Sequence, residues 1–276
     1  MSTKTRALPS LVPVLAAIIV YANTFESGFS TDETQTLKKY AERKDFSSWW
    51  VGLGRHLENG DLVGLAKSFF DPGGILVNNY WETRQQTHYR PLQTLGLVLN
   101  ASTGADPALP QMEQMERRAA AFRAVNVALN ALSALLAFLV LLKLCGDPVL
   151  ACLGATIFAV LPVRSDAVST LVGRADITAS AAVLGAWLVA LRGEGKGIGA
   201  PLAAGAIVFF GSLFSEDVLV ALPVVLAGSW LLGKPLPRLS VGAMASAAAG
   251  YLLMRYVILG SSPPEPSFIQ NPLHFA

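Results

Sequence analysis

The chain has 276 residues and a formal net charge of +2, is 53% hydrophobic, and only 14% of its residues are charged. Soluble domains carry about 25% charged residues, so this composition argues against a soluble enzyme and for a membrane protein. A balance so near neutrality also gives no reason to expect a nucleic-acid partner.

A membrane-spanning helix needs about 20 mostly apolar residues. The first such run is Leu8 to Phe25, preceded by Lys4 and Arg6. It reads as an uncleaved anchor, although Val20-Tyr21-Ala22 is a passable signal-peptide cleavage site. The segment Glu26–Ala121 follows and is too long for an ordinary loop. Within it Trp49, Trp50, Leu53, Leu57, Leu62, Leu65, Phe69 and Phe70 are interleaved with Arg55, His56, Glu58, Asp61 and Lys67. That pattern predicts amphipathic helix lying on the membrane surface, broken near Asn59-Gly60. Asp71-Pro72-Gly73-Gly74 predicts a turn.

Further apolar runs are Phe122 to Leu144, Val149 to Val163, Ile177 to Leu191, Ile198 to Phe214, Val218 to Leu232, and Leu239 to Leu259, the last interrupted by Arg255. Those beginning at Val149 and Ile177 are short and must tilt or borrow flanking residues. Cys145 and Cys152 lie in or beside these runs and read as small packing residues, since two cysteines make neither a disulfide framework nor a zinc pattern. Ser261 to Pro266 reads as a rigid connector. The sequence shows no internal repeat and no low-complexity tract.

The expected fold class is therefore an all-α membrane protein of about seven transmembrane helices with a large external first loop. It is read as a single module: external loop at 26–121, helices at 122–259, and an external tail at 260–276. Lys4, Arg6, Lys143, Arg192, Lys196, Lys234 and Arg238 all fall on one side of such a bundle, which the positive-inside rule assigns to the cytoplasm together with the N-terminus. The other set of charges then faces outward.

The outward residues occur in a distinctive order. Phe25-Glu-Ser-Gly-Phe-Ser-Thr-Asp32-Glu33 follows the first run, and His88-Tyr89-Arg90-Pro91-Leu92 lies near the end of the external segment. Asn126 and Asn130 open the second run. Then come Leu161-Pro162-Val-Arg164-Ser-Asp166, Gly173-Arg174-Ala-Asp176, Ser215-Glu216-Asp217, Arg255, and Asn271-Pro272-Leu273. Four charges in the Arg164–Asp176 connection are costly next to a bilayer core, so they suggest a polar site at the membrane surface.

This series resembles the GT-C-fold membrane glycosyltransferases, in particular the transmembrane and TPR-repeat-containing O-mannosyltransferases and their bacterial relatives. The similarity runs through nearly the whole chain, with Tyr-Arg-Pro-Leu and Gly-Arg-Ala-Asp as its sharpest parts. It covers the family's helical module and none of its TPR repeats. The resemblance implies an inner-membrane enzyme that moves a mannose-like sugar from a polyprenyl-phosphate carrier to a hydroxyl on the periplasmic face. It implies a catalytic acidic pair at Asp32 and Glu33. Substrate and lipid-phosphate binding then fall to Arg90, Arg164, Asp166, Arg174, Asp176, Glu216, Asp217 and Arg255. A carboxylate would deprotonate the acceptor, and arginines would stabilise the departing phosphate. No cofactor is expected, although an acidic pair could hold a divalent cation. His56, His88 and His274 show no metal-ligand spacing.

The sequence departs from that family where Arg164 and Asp166 replace His and Glu, where Asn130 replaces His, where Arg123 often replaces His, and where Glu216 replaces a Lys. The last change removes a cation. It gives weight to an alternative, a GT-C-like scaffold or accessory subunit of a larger membrane complex that has lost the chemistry. A transporter is a weaker third option, since no inverted repeat is present. Plainer explanations stand beside each site residue. Asp32 and Glu33 could cap a following helix, the Arg164–Asp176 charges could salt-bridge a connection, and Arg90 could anchor at headgroup level. Arg255 could snorkel.

Overall fold

The structure, a computed structural model, describes residues 3–26, 54–61, 90–102, 111–193 and 197–259. The described residues form helices and turns, with no strand among them. Helix α1 spans Thr3–Val20 and runs into a 3-10 turn at Ala22–Glu26. One helical turn at 54–58 stops before Gly60, whose φ of 66° is left-handed, so the chain breaks where Asn59-Gly60 predicts. The rest of the predicted amphipathic stretch and the tail at 260–276 lie outside the described residues.

Helix α2 (Pro91–Ser102) begins with a proline, whose missing N–H costs nothing at a first helical position. Helix α3 (Gln111–Cys145) has 35 residues, about 50 Å of axis. Helix α4 (Pro148–Val160) is capped by Asp147, which accepts hydrogen bonds from the backbone N–H of Val149 (2.7 Å) and Leu150 (3.3 Å). Helix α5 (Val163–Ser169) follows after a 62° bend. The bend has a local cause. Pro162 disfavours helical backbone at Leu161, which adopts ψ 130° instead. The stretch from Arg164, expected to be a plain connection, is thus a short helix. The chain continues through α6 (Arg174–Arg192), α7 (Gly199–Ser212), α8 (Asp217–Leu231) and α9 (Arg238–Leu259).

Two stretches, Ala119–Cys145 and Arg174–Arg192, are long and apolar enough to cross a membrane, and α4 with α5 makes a third if the bent pair is one span. Pro9–Val20, α7 and α8 are shorter apolar helices. Large apolar side chains project outward along their faces. Val149, Leu150, Leu153 and Ile157 do so on α4, Val220, Val224 and Leu231 on α8, and Leu253, Tyr256 and Val257 on α9. In water such stripes would promote aggregation; against lipid they are the expected surface of a membrane protein.

Inside, two of the helix–helix clusters are built mainly from small residues. Ala17 of α1, Ala131 and Ala134 of α3 and Ala159 of α4 form one cluster. Ala179, Ala186 and Ala190 of α6 meet Ala204 and Val208 of α7, Val218 of α8 and Met244 of α9 in another. Small side chains let helix backbones approach closely, which matters where lipid removes the hydrophobic drive for helices to associate. Helices α3 and α6 pack together and join the α1–α3–α4 group to the α6–α9 group.

The closest approach lies within the Gly-Arg-Ala-Asp sequence. A Cβ on Gly173 would meet the backbone of Ala167 at 2.3 Å, and Ala175 is fully buried. Gly173→Ala should therefore force α5 away from α6 and destabilise the protein by about 1–3 kcal/mol. The check is a lowered thermal midpoint in detergent. An unchanged midpoint would contradict the close packing of α5 on α6.

Candidate functional site

One face of α3 organises the site. Asn126 and Asn130 are four residues apart, so both point the same way, and both are fully buried. Asn126 Nδ2 donates to the carbonyls of Val168 (3.1 Å) and Thr170 (2.8 Å), while its Oδ1 accepts from Arg174 Nε (2.9 Å). Asn130 Nδ2 donates to the carbonyl of Ala159 (3.4 Å), while its Oδ1 accepts from Arg164 Nε (2.9 Å). One turn on, Ser133 Oγ reaches the carbonyl of Ile177 at 3.4 Å. The amides thus satisfy carbonyls at the ends of α4 and α5, which have no partner in their own helices, and at the same time hold two guanidinium groups.

Those guanidinium groups are deeply placed. Arg174 is 3% exposed and Arg164 is 9% exposed. Arg174 also donates to the Phe122 carbonyl (3.2 Å) and to Asn100 Oδ1 of α2 (3.4 Å), with the Phe122 ring 5.5 Å away. Arg164 lies over the Phe158 ring at 4.2 Å, a cation–π distance, and its Nη2 is buried without a hydrogen-bond partner. The sequence leads one to expect that charges at this depth pair with each other. Arg164 and Arg174 do not. Among the described residues neither has a carboxylate at ion-pair distance, and neutral asparagine oxygens take that place. Neither guanidinium is therefore neutralised by an adjacent described carboxylate.

Arg90 behaves differently. Its Nε donates to Glu216 Oε2 at 3.1 Å, in an ion pair whose side chains are 20% and 23% exposed. Arg90 directly precedes α2, and the ion pair is one of several fastenings there. The Leu92 N–H donates to the Leu213 carbonyl (3.1 Å), and Gln93 Nε2 donates to the Val172 carbonyl (3.1 Å). Leu92 packs with Leu213 and Tyr251. Glu216, Arg90 and Arg255 all lie within electrostatic reach of Tyr251, which places Arg255 in this cluster.

The acidic side lies between α6 and α8. Asp176, in the first turn of α6, and Asp217, the first residue of α8, face the same cavity, with Arg90 and Asp166 in electrostatic range of Asp176. Ser215 Oγ donates to Asp217 Oδ2 at 2.8 Å and fixes its carboxylate. Both acids line a cavity of about 330 Å³ whose walls include Phe158, Ser180, Val183 and Leu184. Asp166 is exposed on α5. Among the described residues no group of three His, Cys, Asp or Glu is arranged to hold a metal.

The structure thus brings Arg90, Glu216 and Arg255 together, sets Asp176 beside Asp217, and places Arg164 and Arg174 on the α3 asparagines. Asp32 and Glu33 lie outside the described residues. Asn100, Asn126, Asn130 and Phe158 are site residues that the sequence reading did not select. A usable signal existed for two of them: amides four apart in an apolar run face one way and are costly in a membrane unless paired. No family model, curated protein or solved structure matches this chain.

Proposed function

We infer that this protein binds a polyprenyl-phosphate-linked, mannose-like sugar at the outer end of its helices and transfers the sugar to a hydroxyl acceptor. The observation that carries this reading is the pair of buried guanidiniums held by uncharged amides. A buried charge without a counter-charge is costly, and a substrate phosphate would supply the missing anion. The adjoining cavity has acids near one end and apolar side chains along its wall, a mixture that suits a sugar headgroup joined to a lipid.

In the proposed reaction the acceptor oxygen attacks the anomeric carbon as the bond from that carbon to the phosphate oxygen breaks, with inversion. The acceptor proton passes to a carboxylate, and polyprenyl phosphate leaves with the bonding electrons. Asp32, just beyond the first apolar run, is proposed as the base, with Glu33 beside it. Arg164 and Arg174 stabilise the negative charge on the leaving phosphate. Asp176 and Asp217 orient sugar hydroxyls, with Asp166 at the margin. No cofactor is assigned. The purified chain in nanodiscs containing a polyprenyl-phosphate mannose should bind that lipid and release polyprenyl phosphate when given a hydroxyl acceptor. Absence of both binding and release would sink this reading.

The Arg90–Glu216 ion pair favours a second reading. Where the resembled family has a Lys, Glu216 supplies an internal anion that occupies Arg90, so one phosphate ligand is absent and another is engaged. A non-catalytic scaffold within a larger membrane complex, with other membrane subunits as its partners, fits that feature. Donor binding without transfer in the same assay would select it.

The proposed setting is a bacterial inner membrane, crossed by about seven spans, with the N-terminus cytoplasmic and the site periplasmic. Lys143, Lys196, Lys234 and Arg238 support this orientation. A cysteine placed at Gly195 should stay unlabelled by an impermeant thiol reagent added to intact cells. Strong labelling would reverse the topology.

A further inference from the structure

At the end of the bundle away from Arg174 lies a second cavity, of about 440 Å³. It is separated from the site above by the length of α6, 19 residues or about 28 Å. Phe138 and Leu139, on the α3 side, lie on its inner surface with Leu142, and Ser10 of α1 contributes to another wall. Two exposed cations complete the lining: Lys143, from the last turn of α3, and Arg192, from the last turn of α6. No described lining residue is acidic. Among the described residues the carboxylate nearest in sequence to this lining is Asp147, which caps α4.

A cation at a helix C-terminus ordinarily does no more than complement the helix dipole. Here two such cations, from different helices, border the same apolar hollow. We propose that this cavity is a binding site for an anionic phospholipid. Its phosphate sits between Lys143 and Arg192, and the start of an acyl chain lies on Phe138, Leu139 and Leu142. A zwitterionic lipid fits less well because its own ammonium competes with the two side chains for the phosphate. Basic pockets between membrane helices on the cytoplasmic side bind acidic headgroups in this way.

The test uses the full chain in phosphatidylcholine nanodiscs containing a minor fraction of phosphatidylglycerol, with the lipids retained through detergent extraction read by mass spectrometry. The unaltered chain should retain phosphatidylglycerol in excess over its share of the bilayer. A Lys143→Gln and Arg192→Gln double variant should lose about 25-fold of that preference, about fivefold for each cation. Both side chains are exposed, so the variant should keep its melting temperature. Leu142→Trp, which fills the cavity and leaves both charges, should lose retention as well, with Leu139→Phe as a milder filling variant if the first lowers the melting temperature.

Three results would overturn the proposal. One is no preference for phosphatidylglycerol. Another is full retention by folded filling variants, which would mean diffuse surface attraction. The third is displacement by inorganic phosphate as readily as by phosphatidylglycerol, which would mean a free-phosphate site.

Discussion

On the proposed glycosyltransferase reading, Asp32→Asn is expected to lower sugar transfer by about 10²–10⁴-fold while leaving the thermal midpoint and donor binding unchanged. The argument is positional and chemical. Asp32 follows the first apolar run by a few residues, which on the proposed topology puts it close to the membrane surface, where a lipid-linked sugar phosphate would present its anomeric carbon. A carboxylate there takes the acceptor proton; the amide has the same shape and cannot. The measurement compares transfer and equilibrium binding of a polyprenyl-phosphate mannose for the two proteins in nanodiscs. Full transfer by Asp32→Asn would move the base elsewhere, with Glu33 first and the Asp176–Asp217 pair next. Loss of binding together with transfer would mean that Asp32 holds the donor instead of serving as the base.

Asn126→Ala should be the most destabilising single change at the site, by about 3–5 kcal/mol. Three hydrogen bonds, two buried and one partly buried, go at once. Arg174 Nε loses its acceptor, and the carbonyls of Val168 and Thr170 lose their donor. A bond to a charged group contributes about 1.5–3 kcal/mol, and each buried group left unsatisfied costs about 1–3 kcal/mol, with overlap among them. Asn126→Asp separates structure from charge. It keeps an acceptor for Arg174 but gives up the two donated bonds, so its stability should fall between the natural protein and Asn126→Ala. It also cancels the cation, so affinity for an anionic donor should fall by an order of magnitude or more even in folded protein. Thermal midpoints and donor binding, measured on the same preparations, decide this. An Asn126→Asp protein that binds the anionic donor as well as the natural one would remove the uncompensated cation from the proposed mechanism.

Helix existence and one of the two breaks were legible in the sequence, because both are local. Apolar runs gave α4 and α6 to α9 within a few residues, but α1 (Thr3–Val20) lies more than a turn ahead of its run Leu8–Phe25 and α3 starts at Gln111, well before Phe122. Asn59-Gly60 marked a real interruption through backbone sterics, whereas the bend at Pro162 falls inside a run read as continuous. For a few residues the order of the runs also predicted which end of the bundle they occupy: Lys143 and Arg192 share one cavity, and Asp176 and Asp217 share another at the opposite end of α6. Partner choice was not. Arg90 finds Glu216 across 126 residues, Arg174 finds Asn126 across 48, and Arg164 finds Asn130 across 34. The sequence offered carboxylates close to both buried arginines, Asp166 two residues from Arg164 and Asp176 two residues from Arg174. Neighbours two apart on a helix face different ways, so Asp166 and Asp176 turn away while Arg164 and Arg174 turn inward onto α3. Which face of α3 meets them is set by how closely alanines and Gly173 let the helices approach. That is a property of the packed bundle, and it makes asparagine, not aspartate, the partner of both buried cations.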